Sequence, residues 1–474
     1  MLYLPAEILD MTLIKSISGI RGTIGGTVGD NLTPIDAVSF ASAYATWLKQ
    51  STKVDSPIVV VGRDARLSGD MMVKLICGAL QGCGVHVIDL GLSTTPTVEI
   101  AVPMEKAHGG IILTASHNPA QWNALKLLNN KGEFISGEEG AIVLSIAENE
   151  TYDFVDVHEL GTYTANDEYL QKHINAVLQL PLVDVEAIKK ANFTVAIDAV
   201  NSTGGIFIPA LLSALGVANI KPLFCDPTGH FPHNPEPLPA HLTDLVALIK
   251  KEKVDVGFVV DPDVDRLAMV CEDGSMFGEE YTLVAVADYV LSRTPGNTVS
   301  NLSSTRALAD VTKKHKQQYQ ASAVGEVNVV ELMKATHAII GGEGNGGIIY
   351  PESHYGRDAL VGIALFLSHL ARSGKTCSEL KASYPAYVIS KNKIELTPSI
   401  DVDAVLLEVK SAFANEKIND IDGVKIDFAD GWVHLRKSNT EPIIRVYAEA
   451  NNEERANELA SSVIQKVADF CLAK

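Results

Sequence analysis

Two loops carry residues whose types and spacing can do chemistry. Thr114-Ala115-Ser116-His117-Asn118-Pro119 follows the apolar run Ile111-Ile112-Leu113 and offers a hydroxyl nucleophile. About 145 residues later, Asp261-Pro262-Asp263-Val264-Asp265-Arg266 follows the apolar run Val256 to Val260. It offers three carboxylates at i, i+2 and i+4. On a helix, residues two apart do not share a face. In extended or looped backbone they point the same way, and Pro262 opposes a helix here. Three oxygen ligands on one side suit a hard cation such as magnesium, which keeps its other positions for water or phosphate oxygen. A serine beside such a cation suits phosphoryl transfer: the hydroxyl carries the group and the metal neutralises its charge.

Three further loops offer supporting groups. Ser16-Ile17-Ser18-Gly19-Ile20-Arg21-Gly22 places Arg21 in a flexible glycine setting, where its planar fork can clamp a phosphate. Gly341-Gly342-Glu343-Gly344-Asn345-Gly346-Gly347 allows close backbone approach, with Glu343 and Asn345 spaced to reach two neighbouring hydroxyls. Arg436, Ser438, Asn439 and Thr440 put a guanidinium, two hydroxyls and an amide within five residues, and Arg445 lies just beyond. That is phosphate-holding chemistry.

Elements must exist to position these loops. Apolar β-rich runs alternate with helical patterns through most of the chain, which predicts α/β domains. Ile58–Val61, Val85–Asp89, Gly110–Leu113, Val195–Ile197, Val256–Val260 and Ala338–Ile340 read as strands. Many end in Gly- or Asp-rich loops, where α/β sheets usually present ligands. Composition shifts divide the chain into residues 1–165 with the serine loop, 166–273 with the acidic loop, 274–387 with the glycine-rich loop, and 388–474. The last reads as strands, a helix, more strands and a final helix from Glu453, a small α+β domain. Residues 1–10 read as an extension ahead of the fold.

Composition limits the partners. The chain has 474 residues, 46% hydrophobic and 20% charged, and a net charge of -19. That excess of acid gives no global attraction for nucleic acid or anionic membranes. An anionic substrate therefore needs a local basic cluster. No apolar run reaches the roughly 20 residues that span a bilayer. The N-terminus lacks a signal-peptide pattern, so a cytoplasmic location is expected. Cysteines 77, 83, 225, 271, 377 and 471 form no zinc spacing and read as reduced and mostly buried.

The order and separation of the five loops SGIRG, TASHNP, DPDVDR, GEGNGG and RKSNTEP resemble the α-D-phosphohexomutase family from about residue 12 onward. The resemblance implies four domains around a central cleft: three related α/β domains with mixed sheets and a C-terminal domain similar to the TATA-binding-protein fold. It implies that Ser116 is the phosphoserine and that Asp261, Asp263 and Asp265 hold magnesium, with the serine phosphate as a further ligand. Arg21 and Arg266 then flank the transferring phosphoryl group, and His117 joins the catalytic set. Lys126, in Trp122-Asn123-Ala124-Leu125-Lys126, matches the family's proton-transfer lysine. Glu343 and Asn345 hold sugar hydroxyls; Arg436, Ser438, Asn439 and Thr440, with Arg445, grip the phosphate that is not reacting.

The chain departs from the family pattern in places. Many relatives carry a histidine, a candidate general base, where Gly347 stands. Some have another histidine where Glu326 stands, and Ala124 replaces a common glycine. Lys126 and Glu326 become the candidates for moving the hydroxyl proton, with Lys126 expected to be shifted down toward working pH by dehydration or by Arg21 and Arg266. The expected reaction interconverts hexose 6-phosphate and hexose 1-phosphate through a 1,6-bisphosphate, which also serves as activator. The WNALK and GEGNGG versions look most like a phosphoglucosamine mutase branch, with phosphomannomutase/phosphoglucomutase as the alternative. A phosphatase or a sugar-phosphate sensor are further alternatives. Expected partners are small hexose phosphates, with no nucleic acid and no membrane, for a monomer or homodimer.

Overall fold

The computed structural model describes residues 11–16, 19–395, 401–437 and 443–472. The expected extension over residues 1–10 lies outside them. The chain forms two compact units: residues 1–278 with 347–378, and residues 279–346 with 379–474.

The first unit opens with a seven-stranded mixed sheet. Strands Ile58–Arg63, His86–Leu92 and Gly109–Leu113 run parallel, and Trp122–Leu128 returns antiparallel beside Gly109–Leu113. The central strands are apolar without alternation because both faces are covered. Val59, Val61, Ile111 and Leu113 pack into one core with Phe40, Tyr44 and Ile76. Their neighbours Val60 and Ile112 point the other way, into a second core with Val98 and Val102. That is the two-residue period of a strand. The helix Pro34–Thr52 covers the first face, started by a capping box between Thr33 and Asp36.

A second sheet in this unit has the order Leu267–Cys271, Val256–Val260, Thr194–Asp198, Asn219–Leu223. The last three run parallel and the first antiparallel. The sharp return from Val260 to Leu267 is the acidic loop.

In the second unit, Tyr319–Ser322, Asn297–Asn301 and Ala338–Glu343 form a parallel set. The strand Val388–Glu395 opens a five-stranded sheet continued by Ile443–Ala450, Gly431–Lys437, Val424–Asp427 and Lys417–Asn419, antiparallel throughout. The helices Val402–Ala412 and Glu453–Leu472 cover it, burying Val405, Leu459 and Val463 against Ile426, Val433 and Val446. Every strand expected from the sequence falls within an observed strand, apart from one first residue, Val85. No helix among the described residues is long and apolar enough to cross a membrane. The described cysteines are free thiols.

Candidate active site

The serine loop leaves the fully buried strand Gly109–Leu113. Ser116 itself sits at φ 49°, a left-handed conformation uncommon for a residue with a side chain. The surroundings hold it there. Its N–H donates to Thr114 Oγ1 (3.0 Å), and Thr114 Oγ1 donates to Asp64 Oδ2 (2.7 Å). The buried Arg66 does most of the rest. Its Nε donates to Asp64 Oδ2, and its two terminal nitrogens donate to the carbonyls of Ser116 (2.6 Å), Asn118 (2.7 Å), Pro119 (2.7 Å) and Trp122 (3.0 Å). All five guanidinium donors are used, a pattern only arginine can supply. The loop is fixed through its backbone, so the hydroxyl of Ser116 is left for chemistry.

The acidic loop leaves the fully buried strand Val256–Val260. Val264 takes φ 64° and closes a tight turn through its N–H to Asp261 O (3.1 Å). Three helix starts surround it. Thr95, first residue of the helix Thr95–Met104, donates its N–H to Asp263 O and its hydroxyl to Asp263 Oδ2 (2.5 Å). Thr203, capping the helix Gly204–Ala214, donates its hydroxyl to Pro262 O, and Ala359, first residue of Ala359–Ser373, donates its N–H to Val264 O. Helix N-termini carry partial positive charge, which favours clustered carboxylates.

The two loops meet. Ser116 Oγ donates to Asp261 Oδ2 at 2.7 Å. Oxygens of Asp261, Asp263 and Asp265 lie within 4.8 Å of one another, and all three residues are fully buried. Cations ring them. Lys126 Nζ donates to Asp263 Oδ2 (2.6 Å) and Asp265 Oδ2 (3.3 Å), and Arg357 donates to Asp265 Oδ2 (2.6 Å). Arg266 Nε lies 3.9 Å from Asp261 and 3.8 Å from Asp265. Arg21, on the strand Gly19–Thr23, reaches Asn118 Oδ1 at 3.4 Å.

These charges set the protonation states. Burial and the repulsion of Asp263 and Asp265 push Asp261 well above the usual carboxylate range. Burial would do the same to Asp265, but Arg357, Lys126 and Arg266 outweigh it and hold it low. Arg266, burial and Arg21 depress His117 well below its usual value. The geometry fits a cation. Asp263 Oδ1 and Asp265 Oδ1 are buried and accept no hydrogen bond among the described residues. Buried carboxylate oxygens left in that state are costly unless something positive faces them. The triad can bind a metal ion, and its oxygen-only donor set suits a hard one.

The second unit holds the other expected residues. Glu343 ends the strand Ala338–Glu343, and Asn345 Nδ2 approaches Glu343 Oε2 at 3.4 Å. Glu326 is buried at the first position of the helix Glu326–Thr336. Arg436 and Arg445 are direct cross-strand partners. Like charges so placed repel unless an anion sits between them. Arg436 Nε is buried and donates no hydrogen bond among the described residues. Ser438, Asn439 and Thr440 lie outside the described residues.

Sequence reasoning missed Asp64, Arg66, Thr95 and Arg357. A signal existed for the first two: Gly62-Arg63-Asp64-Ala65-Arg66 follows an apolar strand, as the other site loops do. Thr95 and Arg357 sit in sequence with no such signature, and only the fold brings them to the acids. The expectation of a depressed Lys126 is corrected. Burial does favour its neutral form, but the carboxylates of Asp263 and Asp265 outweigh burial and hold the ammonium above its ordinary value.

Comparison with known proteins gives this geometry a context. The chain matches phosphoglucomutase/phosphomannomutase alpha/beta/alpha domain I over residues 13–153, domain II over 168–274, domain III over 278–387 and the C-terminal domain over 395–466. It is 35% identical over 443 residues to a phosphoglucomutase/phosphomannomutase of Thermococcus kodakarensis, covering 92% of this chain and 96% of that one. It is 33% identical over 457 residues to a phosphoglucosamine/phosphogalactosamine mutase of Sulfurisphaera tokodaii, covering 93% and 97%. A crystal structure of a phosphoglucomutase/phosphomannomutase family protein from Burkholderia thailandensis superposes with a TM-score of 0.82 at 25% identity, covering 97% of each chain. With its serine and acidic loops in contact and all four domains matched, the chain belongs to the phosphoglucomutase/phosphomannomutase family of phosphohexomutase enzymes.

Proposed function

We propose that this enzyme interconverts glucosamine 6-phosphate and glucosamine 1-phosphate, with Ser116 as the phosphoryl carrier. The observation that carries the reading is the 2.7 Å contact of Ser116 Oγ with the buried acidic triad. A solvated polar turn would not bury three carboxylates beside a left-handed serine.

Phospho-Ser116 passes its group to the free sugar hydroxyl, giving a hexose 1,6-bisphosphate. The bisphosphate turns over, and Ser116 recovers the other phosphoryl group. A free bisphosphate restores any enzyme that has lost its phosphate, which makes it an activator. Asp261, Asp263 and Asp265, with the phosphate on Ser116, would hold magnesium, which would supply charge neutralisation on the transferring group. Arg21 and Arg266 stabilise the same charge from the protein side. Lys126 enters as an ammonium, suited to return a proton to the oxygen of Ser116 when the phosphoryl group leaves. Glu326 is the candidate acceptor of the sugar hydroxyl proton, which an ammonium cannot take. Glu343 and Asn345 are assigned to the sugar hydroxyls. Arg436 and Arg445, with Ser438, Asn439 and Thr440, are assigned to the phosphate that is not reacting. The substrates are free hexose phosphates, and the enzyme is expected in the cytoplasm as a monomer or homodimer.

The identity to a phosphoglucosamine/phosphogalactosamine mutase supports the amino-sugar reading. The identity to a phosphoglucomutase/phosphomannomutase favours a second one, action on glucose and mannose phosphates. Incubation with labelled glucose 1,6-bisphosphate tests the shared chemistry. Label should appear on Ser116 and return to sugar, and Ser116→Ala should abolish both while substrate binding persists. Retained turnover in that variant would remove the phosphoserine assignment. A rate panel over glucosamine, glucose and mannose phosphates then chooses the sugar.

A further inference from the structure

We propose that Asn301 is the positioning residue that orients Glu343, and that it thereby helps set which sugars the enzyme accepts. The inference rests on the reading that Glu343 holds a sugar hydroxyl. Asn301 ends the strand Asn297–Asn301, next to the strand Ala338–Glu343 in the parallel set. Both side chains are buried. Asn301 Nδ2 donates to Glu343 Oε1 at 2.8 Å, and the Gly325 N–H donates to the same oxygen at 3.2 Å. The contact of Asn345 with Oε2 is longer, at 3.4 Å. Two shorter bonds therefore converge on one oxygen and fix the rotation of the carboxylate.

The amide cannot be turned around. Asn301 Oδ1 accepts from the Ser303 N–H (3.0 Å) and from Ser304 Oγ (3.1 Å), so its nitrogen must face Glu343. Ser304 Oγ in turn accepts from the Gly344 N–H at 3.0 Å. A closed ring results: Asn301 holds the Glu343 side chain, and through Ser304 it holds the backbone of the next residue. One amide thus bears on both the rotamer of Glu343 and the path of the glycine-rich loop. Glycine-rich backbone has little conformational preference of its own, so an outside anchor is required.

A double-mutant cycle tests this. Asn301→Asp keeps the shape and the Oδ1 acceptor but places a carboxylate against Glu343. In the otherwise native enzyme it should lower kcat/KM by roughly tenfold or more, as expected for loss of a charge-assisted hydrogen bond. The factor should differ among glucosamine, glucose and mannose 6-phosphates. In a Glu343→Gln background the same substitution should cost little, because the glutamine amide introduced there can donate to the new carboxylate. Loss of the sugar-dependent pattern together with that insensitivity supports the positioning role. An equal loss in both backgrounds, or the same factor for every sugar, would show a merely structural asparagine and overturn the inference. If Glu343→Gln alone leaves all three sugars unaffected, the assignment of Glu343 fails and this inference goes with it.

Discussion

The serine loop and the acidic loop solve the same problem in opposite ways. Each follows a fully buried strand and each contains a non-glycine residue in left-handed conformation, Ser116 and Val264. The serine loop is held chiefly by one side chain: Arg66 binds three of its carbonyls and that of Trp122, which begins the next strand. The acidic loop is held by single bonds from several elements. Thr95 binds Asp263 O, Ser202 and Thr203 bind Pro262 O, and Ala359 binds Val264 O. The difference follows from what each loop presents. A loop that offers one hydroxyl needs one fixed backbone path. A loop that crowds three carboxylates needs positive potential from many directions, which helix starts and scattered cations supply. One anchor makes a loop sensitive to a single substitution, whereas many anchors share the load.

The largest expected effect is therefore at Arg66. Arg66→Met should lower stability by about 3–5 kcal/mol, because it leaves Asp64 buried without its partner. In the fraction that still folds, phosphoryl transfer to Ser116 should drop by roughly 10²-fold or more, the scale expected when a reacting group is misplaced by about an ångström. Urea unfolding and label transfer from glucose 1,6-bisphosphate measure the two separately. Arg66→Lys should not rescue transfer, since three ammonium donors cannot replace five in a fixed fork. Normal labelling of Ser116 in the folded methionine variant would contradict the single-anchor account.

The acidic loop should be sensitive at its ligands rather than at its anchors. Asp263→Asn removes one of three clustered carboxylates, the nearer of the two that Lys126 meets and the one that Thr95 meets. Magnesium affinity and turnover should fall together, by more than the roughly 10–100-fold typical of a change outside the ligand set. Metal titration followed by calorimetry, with kcat measured at saturating magnesium, checks it. Unchanged affinity would mean the triad is not the cation site.

What could be read in the sequence divides along the same line. The strands were visible because Val59 to Val61, Ile111 to Leu113 and Val256 to Val260 are unbroken apolar runs, as two-sided burial demands. The candidate site groups are legible because Ser116 and the three aspartates sit in compact local motifs. Anchors that act at long range were not. Thr95 and Arg357 reach the acids from 168 and 92 residues away, and nothing in their neighbours marks them. The protonation state of Lys126 is illegible in the sequence for a related reason. Its positive neighbours were known from their motifs, but its contacts with Asp263 and Asp265 exist only in the folded chain. Arg66 is the intermediate case: Gly62 to Arg66 has the right position after a strand, but its role depends on carbonyls 50 to 56 residues away.

The smallest effects should come from the paired hydroxyls on Pro262, and they sharpen the comparison because the two residues are not equivalent. Ser202 Oγ and Thr203 Oγ1 both donate to Pro262 O, at 2.7 and 2.9 Å. Ser202 Oγ also accepts from the Ala65 N–H at 3.3 Å, beside Arg66, so it joins the two loop systems. Thr203→Val removes one of two donors to a carbonyl that keeps the other. It should cost about 0.5–1.5 kcal/mol and change kcat by no more than about twofold. Ser202→Ala removes a donor and also leaves a buried N–H unpaired, which should cost about 1–3 kcal/mol. Its activity loss should appear in label transfer to Ser116 as well as in magnesium affinity, because both loops feel the change. The double variant should lose more than the sum, since Pro262 O then has neither donor. Equal, additive effects of Ser202→Ala and Thr203→Val would show that the two loops are anchored independently and that Ser202 is one more member of the distributed set.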